Sequence, residues 1–314
     1  MPVVTRSAAG FGVMSTAHEL KPGCVLVVSK KEGPKGNRRI VKLGAETPQW
    51  DMGVFRAMVG LMETHHILEM NLSKMGLVFD HIKWLFPKLT ECTRLLRLDL
   101  SHNELRGGAT QRLVEVLGSL KCLEHLSISS FTIGADVAEK LAPILLQLEM
   151  LQSLDISSTS LTDEAIEFIA RVLSSMKSLR RLDLSYNDIH SKGTMCLAEG
   201  LGTCTTLKSL ILDENALSFS PSGTPTRNDS VGCLAQMLSA NKNLESLKMN
   251  NCGILDRHAK PLAEAMKGCH NLRHLGLYGN EFEEEGYKIL LQQTRCMPGL
   301  EVDLLDNTDP MDLG

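Results

Sequence analysis

No stretch of this 314-residue chain carries the roughly 18 consecutive apolar residues that a membrane-crossing helix requires, so a membrane partner is not expected. Phosphate-cradling G-x-x-x-x-G-K-[ST], dinucleotide-binding G-x-G-x-x-G, zinc-protease H-E-x-x-H and hydrolase G-x-S-x-G are all missing, which removes the main catalytic readings. None of the nine cysteines stands in a C-x-x-C pair, and neither end is cysteine-rich, so reduced thiols are expected in place of disulfides or zinc. His65 and His66 are adjacent and cannot share one helical face as paired metal ligands do, so they read as helix-end residues. Charge is unexceptional at a formal −4 with 22% charged residues. Residues 1–18 hold Arg6 and no acid but lack an amphipathic pattern, which makes mitochondrial import the lesser expectation beside a cytoplasmic one.

What the chain does have is a period. Its first apolar position returns at Ile67, Leu95, Leu123, Leu151, Leu179, Leu207, Leu244, Leu272 and Leu300, every 28 residues except for one step of 37, hence 37 − 28 = 9 inserted residues. Counting that residue as position 0, apolar side chains at 0, 3 and 5 alternate as a short strand requires, as in Leu179, Leu182 and Leu184. Positions 14, 18, 21, 22 and 25 supply a helical stripe, such as Val137, Leu141, Ile144, Leu145 and Leu148. Asparagine recurs at position 8 in Asn103, Asn187, Asn215 and Asn280, where an interior amide can satisfy backbone groups freed as the chain leaves the strand. Met75, Phe131, Thr159 and Cys252 take that place elsewhere, and the apolar ones are expected to leave those groups to water or neighbours; the repeat holding Phe131 is expected to be locally irregular. Cys92, Cys204 and Cys269 fall where other repeats carry Leu120, Leu148 and Met176, and so read as small buried hydrophobes.

A strand-plus-helix unit with Leu-x-x-Leu-x-Leu-x-x-Asn at a fixed period identifies a leucine-rich repeat. The expected fold is an α/β leucine-rich repeat solenoid, a horseshoe with parallel strands on the concave face and helices on the convex face. Segments such as Leu182-Asp-Leu-Ser-Tyr-Asn-Asp-Ile-His-Ser-Lys-Gly193 and Leu275-Gly-Leu-Tyr-Gly-Asn-Glu-Phe-Glu-Glu-Glu-Gly286 resemble the ribonuclease-inhibitor subfamily over about residues 67–307. The resemblance includes Ran GTPase-activating protein and ciliary leucine-rich repeat subunits. It implies the fold and leaves the ligand open.

Three further segments complete the expected organisation. Residues 1–20 form an extended tail, and 21–66 an N-terminal cap in which Cys24–Ser29 and Arg38–Leu43 make a hairpin around the glycine- and proline-bearing 30–37. Phe55, Met58, Val59 and Met62 follow on one helical face. The leucine-rich repeat domain covers 67–314, with the insertion as a loop at about 218–230.

Two surfaces are candidates for partner binding. The hairpin gathers Lys30, Lys31, Lys35, Arg38, Arg39 and Lys42, which suit a protein partner with an acidic surface; nucleic acid is not expected except through this hairpin within a larger complex. The strand face lists from the register as Arg97-Asp99-Ser101, Ser153-Asp155-Ser157, Arg181-Asp183-Ser185 and Ser209-Ile211-Asp213, a polar, mildly acidic surface whose aromatics are chiefly Tyr186 and Tyr278. The reading is a non-catalytic protein–protein interaction scaffold without cofactors, a structural subunit of a larger ciliary, cytoskeletal or ribosomal assembly. Its alternative is a GTPase-activating protein for a Ran-like GTPase, with Arg106 or the insertion's Arg227 as the arginine facing the nucleotide.

Overall fold

The computed structural model describes residues 27–31, 38–42, 59, 62, 67–103, 105 and 107–304. The chain falls into two compact units. The first takes residues up to Thr132 together with Gln147–Leu154, and the second takes Ile133–Leu146 and everything from Asp155.

In the first unit, β1 (Val27–Lys31) and β2 (Arg38–Lys42) pair antiparallel from Val27 opposite Lys42 to Lys31 opposite Arg38. The ladder thus runs on through Lys30 and Lys31, which the sequence had placed in the turn. The residues between the two strands, 32–37, lie outside the described residues. Val59 and Met62 are helical and buried; Phe55 and Met58 lie outside the described residues. Three-residue strands β3 (Glu69–Asn71), β4 (Arg97–Asp99) and β5 (His125–Ser127) then run parallel, each in register with residues 28 further on. Between them lie α1 (Phe79–Leu89) and α2 (Gly108–Leu117). Only the central residue of each strand, Met70, Leu98 or Leu126, enters the core, as a two-residue side-chain period dictates.

The second unit repeats the plan. α3 (Ala135–Gln147) and β6 (Ser153–Asp155) straddle its boundary. Then come α4 (Asp163–Leu173), β7 (Arg181–Asp183), α5 (Ser191–Leu201), β8 (Ser209–Ile211), α6 (Ser230–Ala240) and β9 (Ser246–Lys248). A 3-10 turn (Asp256–His258), α7 (Ala259–Met266), β10 (His274–Gly276), α8 (Glu284–Arg295) and β11 (Glu301–Asp303) complete it. Strands β7 to β11 pair parallel in chain order, with the 37-residue step absorbed between Ser209 and Ser246. The last pairing, His274 with Glu301, is a 27-residue step.

Helix faces differ in detail from the stripe read off the sequence. Positions 14, 18 and 22 are buried, as in Ala165, Ile169 and Leu173; position 21 is half-buried at Ile144 and Val172 but buried at Val116, Met237 and Ala265. Position 19 is buried as well, by Phe86 and Val114 in the first unit and by a small side chain, Ala142, Ala170, Ala198, Ala235 or Ala263, in the second. Around Ala170 the fit is tight, since a Cβ added at Gly200 of the next helix would meet the Ala170 carbonyl.

The asparagines act on the repeat before their own. Asn187 accepts the Thr159 and Leu161 N–H groups at 2.9 and 3.0 Å and donates to the Ile156 carbonyl at 3.0 Å and its own repeat's Leu184 carbonyl at 2.9 Å. Asn103 holds Met75, Leu77, Leu72 and Leu100 in the same way, and Asn280 holds Cys252, Ile254, Met249 and Leu277. Where asparagine is missing, neighbours serve at least one of these groups. The position-8 carbonyl takes over, accepting Ile133 N–H at Thr159 (2.9 Å) and Leu217 N–H at Cys252 (3.1 Å). The Cys252 thiol donates to the Leu212 carbonyl at 3.2 Å. Burial pushes that thiol far above its ordinary range, so it stays protonated and able to donate. Phe131, expected to disturb its repeat, is buried at 1% exposure beside a regular β5.

Two histidines at position 14 close helix starts. His81 Nδ1 accepts the Val78 N–H at 3.0 Å and His258 Nδ1 the Leu255 N–H at 3.2 Å. Burial pulls His258 down to about 4, with the Arg257 charge adding to the effect. The folded chain therefore holds this imidazole neutral, whereas the unfolded chain protonates it near 6.5. Its stabilisation is complete above about pH 6.5 and is lost as pH falls toward 4, a change of about 1–3 kcal/mol. Urea midpoints at pH 7 and pH 4.5 should differ less in His258→Gln than in the parent chain; equal differences would show that another group carries the acid sensitivity.

Candidate protein-interaction surface

The strand face of each unit is built from positions 2, 4 and 6. In the first unit Arg97 is exposed and lies 3.6 Å from Glu69, while Asp99 Oδ1 accepts both the N–H and the hydroxyl of Ser101 at 3.0 and 2.6 Å. In the second unit Asp155 grips Ser157 and Asp183 grips Ser185 identically, the hydroxyls at 2.7 and 2.6 Å. Arg181 closes on the remaining Asp183 oxygen at 3.1 Å. The serine column thus has a local cause: each hydroxyl holds the carboxylate two residues back and fixes the chain's exit from the strand. These aspartates are working parts of the repeat, and only part of their charge is on offer to a partner.

Further along, Asp213 accepts the Asn250 N–H at 2.8 Å and Asn250 Oδ1 accepts the Tyr278 N–H at 2.9 Å, a relay of side chains from one strand exit to the next. Burial pushes the Asp213 carboxyl above its ordinary value. Ile211 is buried and Lys248 exposed.

The insertion is an ordered small hairpin. Phe219 pairs with Pro225, and the turn closes through Ser220 N–H to Thr224 O and Gly223 N–H to Ser220 O, both 2.9 Å. Gly223 has φ +74°, the left-handed backbone that such a turn needs. Arg257 ties it to the following repeat through the Thr226 carbonyl at 2.7 Å, and Ser191 N–H ties it to the preceding one through Phe219 O at 2.9 Å. Arg227 is exposed on this element. Arg106 and Lys35 lie outside the described residues, and Lys30, Lys31, Arg38, Arg39 and Lys42 are carried on β1 and β2.

A column that the sequence reading missed borders the strand face. Position 7, just before the asparagine column, has left-handed φ in eight successive repeats: Lys74, His102, Ser130, Ser158, Tyr186, Glu214, Asn251 and Gly279, between 52° and 69°. Only one is glycine. The others hold a conformation that L-residues avoid, and all but the half-buried Ser130 are exposed. Tyr186 is 61% exposed, the largest value among the exposed large hydrophobic side chains. The register would have located this column, but no residue type announces it.

Among the described residues no group of three or more His, Cys, Asp or Glu could hold a metal ion, and no helix is long and apolar enough to cross a membrane. Cys92, Cys204, Cys252 and Cys269 are buried free thiols, and burial, reinforced by Glu91, pushes Cys92 up to about 11.

Short parallel strands in register, a helix in each repeat and the position-8 asparagine staples define a leucine-rich repeat protein, a class that serves as protein-interaction scaffolds. The chain belongs to the MHP1/HER1/GIP3 LRR domain family, whose model matches residues 28–215, more than half of its length. No curated protein sequence matches it. Among solved structures it is similar to an internalin (inlF) from Listeria monocytogenes str. 4b F2365, with 17% identity and a TM-score of 0.47 over 81% of this chain and 70% of that one. It is also similar to the leiomodin-1 actin-binding site 2, with 16% identity and a TM-score of 0.41 over 58% of this chain and 95% of that one.

Proposed function

We propose that this chain is a non-catalytic scaffold subunit, with repeats of the ribonuclease-inhibitor type, that docks an acidic protein surface through its N-terminal hairpin. Residues 21–66 serve as the cap of the repeat array in this reading. One observation carries it. The register sets Lys30 directly opposite Arg39 and Lys31 directly opposite Arg38. Like charges facing each other across an antiparallel ladder cost roughly 0.2–1 kcal/mol per pair, so two such pairs in one short hairpin burden it unless an anionic partner neutralises them. Free, buried thiols support a reducing, cytoplasmic setting for the complex.

Reversing Lys30, Lys31, Lys35, Arg38 and Arg39 to glutamate should weaken binding of a fluorescent deca-glutamate peptide at least tenfold at low salt. Thermal unfolding should be little changed, since the reversal exchanges one set of facing like charges for another. A second variant, with Asp155, Asp183 and Asp213 changed to lysine, should bind that peptide no less well than the parent. Pull-downs from cell extract provide the decisive comparison: if the hairpin variant keeps its partners and the strand-face variant loses them, the hairpin reading is wrong.

A further inference from the structure

The second unit offers a site of opposite charge preference, independent of the hairpin. Its centre is Tyr186. The ring stands on left-handed backbone at φ 55°, is 61% exposed, and has no aromatic or cation partner among the described residues. Elsewhere this molecule seats cations on aromatic rings: Lys83 and Arg112 each lie 5.1 Å from the Phe79 centroid, and Arg171 lies 5.6 Å from that of Phe168. Tyr287, by contrast, is spent on an edge contact with Phe282.

The surroundings of Tyr186 are acidic. Its N–H donates to the Asp213 carbonyl at 2.8 Å, which places Asp213 and Glu214 on the adjacent strand exit. Neighbouring strands lie about 4.8 Å apart, so Glu214, at the same position of the next repeat, stands within reach of whatever covers the ring. Glu214 is held upright by Asn251, whose amide donates to Oε1 at 2.7 Å. Asp188, two residues beyond Tyr186, is also exposed. On the other flank Arg181 is already committed to Asp183 and, at 3.4 Å, to the Ser209 hydroxyl, while the exposed Lys248 of β9 acts on Asp213 and leaves Glu214 and Asp188 as the more available carboxylates.

We propose that Tyr186, flanked by Asp188, Asp213 and Glu214, is a docking point for an arginine of a basic protein segment, the guanidinium plane lying on the phenol ring and its N–H groups on the carboxylates. Arginine is preferred over lysine because a planar fork can stack and pair at once, whereas an ammonium is a compact, strongly hydrated point charge. The left-handed angle is common to position 7 of eight successive repeats, and what sets Tyr186 apart within that column is an exposed phenol ring where the other repeats carry lysine, histidine, serine, glutamate, asparagine or glycine.

The test uses the full chain and two fluorescein-labelled peptides, Gly-Arg-Gly-Arg-Gly-Arg-Gly and its lysine counterpart, read by fluorescence anisotropy at two salt concentrations. The arginine peptide should bind more tightly than the lysine peptide. Tyr186→Ala should weaken arginine-peptide binding about five- to thirty-fold, the range of a partly desolvated cation–π contact. Glu214→Gln and Asp188→Asn should each weaken it and flatten its salt dependence. Tyr186→Gly guards against a folding artefact: it should lose the peptide while melting no lower than the parent. The hairpin reversal should leave this binding intact, so failure of either reading is seen separately. Equal binding of both peptides, or full binding by Tyr186→Ala, overturns the proposal in favour of diffuse charge attraction. Self-association of the chain that Tyr186→Ala abolishes, without peptide binding, overturns it in favour of a second copy as occupant.

Discussion

Asn187→Ala is expected to destabilise the second unit by about 3–5 kcal/mol, measured as a shift in its urea unfolding transition. The side chain is nearly fully buried and satisfies two N–H groups of one repeat's loop, two carbonyls, and also the Thr159 hydroxyl at 3.1 Å. Alanine leaves those groups facing a small cavity, and each buried group stranded without a partner costs about 1–3 kcal/mol. A water entering the space would recover part of this, which sets the upper bound. Asn187→Asp separates hydrogen bonding from volume. Its carboxylate can still accept from Thr159 and Leu161 but turns an anion toward the Ile156 and Leu184 carbonyls. At pH 7 the loss should match or exceed that of alanine, and mild acid should relieve it, because burial among carbonyls raises the carboxyl's pKa and the protonated form can donate. Amide exchange at Thr159 and Leu161 should accelerate in both variants; unchanged exchange there would show that the staple is not what protects the loop.

The second large effect should come from Gly200→Ala. A Cβ at Gly200 would sit inside van der Waals contact of the Ala170 carbonyl oxygen and 2.8 Å from its carbonyl carbon. Neither atom can rotate away, since both belong to the backbone of α4. Helix α5 must instead withdraw from α4, loosening the close approach around Ala170 and Ala198. A loss of about 2–4 kcal/mol is expected, outweighing the roughly 1 kcal/mol that alanine gains over glycine inside a helix. Gly108→Ala supplies the contrast, because a Cβ there meets nothing within 4 Å on ordinary backbone at the start of α2. That change should be neutral or stabilising. If both substitutions prove neutral in thermal melts, the helices are not as tightly apposed as described.

Much of the fold was legible because the repeat makes one residue answer for many. Leu98, Leu126, Leu182, Leu210, Leu247 and Leu275 sit at one register position, and all are buried mid-strand. Periodicity also placed Cys92, Cys204 and Cys269 in the core before any coordinates. The surface was less legible, for physical reasons that particular residues expose. Asp99, Asp155 and Asp183 list as groove charges, yet a serine two residues on captures each one, and a list of outward positions does not reveal who bonds whom. Tyr186 and Glu214 gain their prominence from a backbone angle, and seven of the eight residues there are not the glycine that would have marked it. His81 and His258 occupy a position read as apolar; only the geometry shows their imidazoles turned back to accept a helix's opening N–H. Insertion residues rich in serine and proline read as a loop, and the two ties that order it come from Arg257 and Ser191, on opposite sides of it in the chain.

The asparagine staples give the second unit a direction. Asn215 donates to the Leu184 carbonyl and accepts from Ile189, both in the repeat before it, just as Asn187 serves the repeat before its own. Dependence on the staples therefore passes one way along the chain. Backbone bonds between repeats, such as Lys208 and Ser209 N–H to the Arg180 carbonyl, are lost whichever end is removed, but loss of a C-terminal repeat also takes the staple from the repeat left behind, whereas loss of an N-terminal one leaves a carboxamide that water can serve. Under load or protease the unit should fray from its C-terminal end toward its middle, like a ratchet released at the last tooth, and each lost repeat should loosen the next.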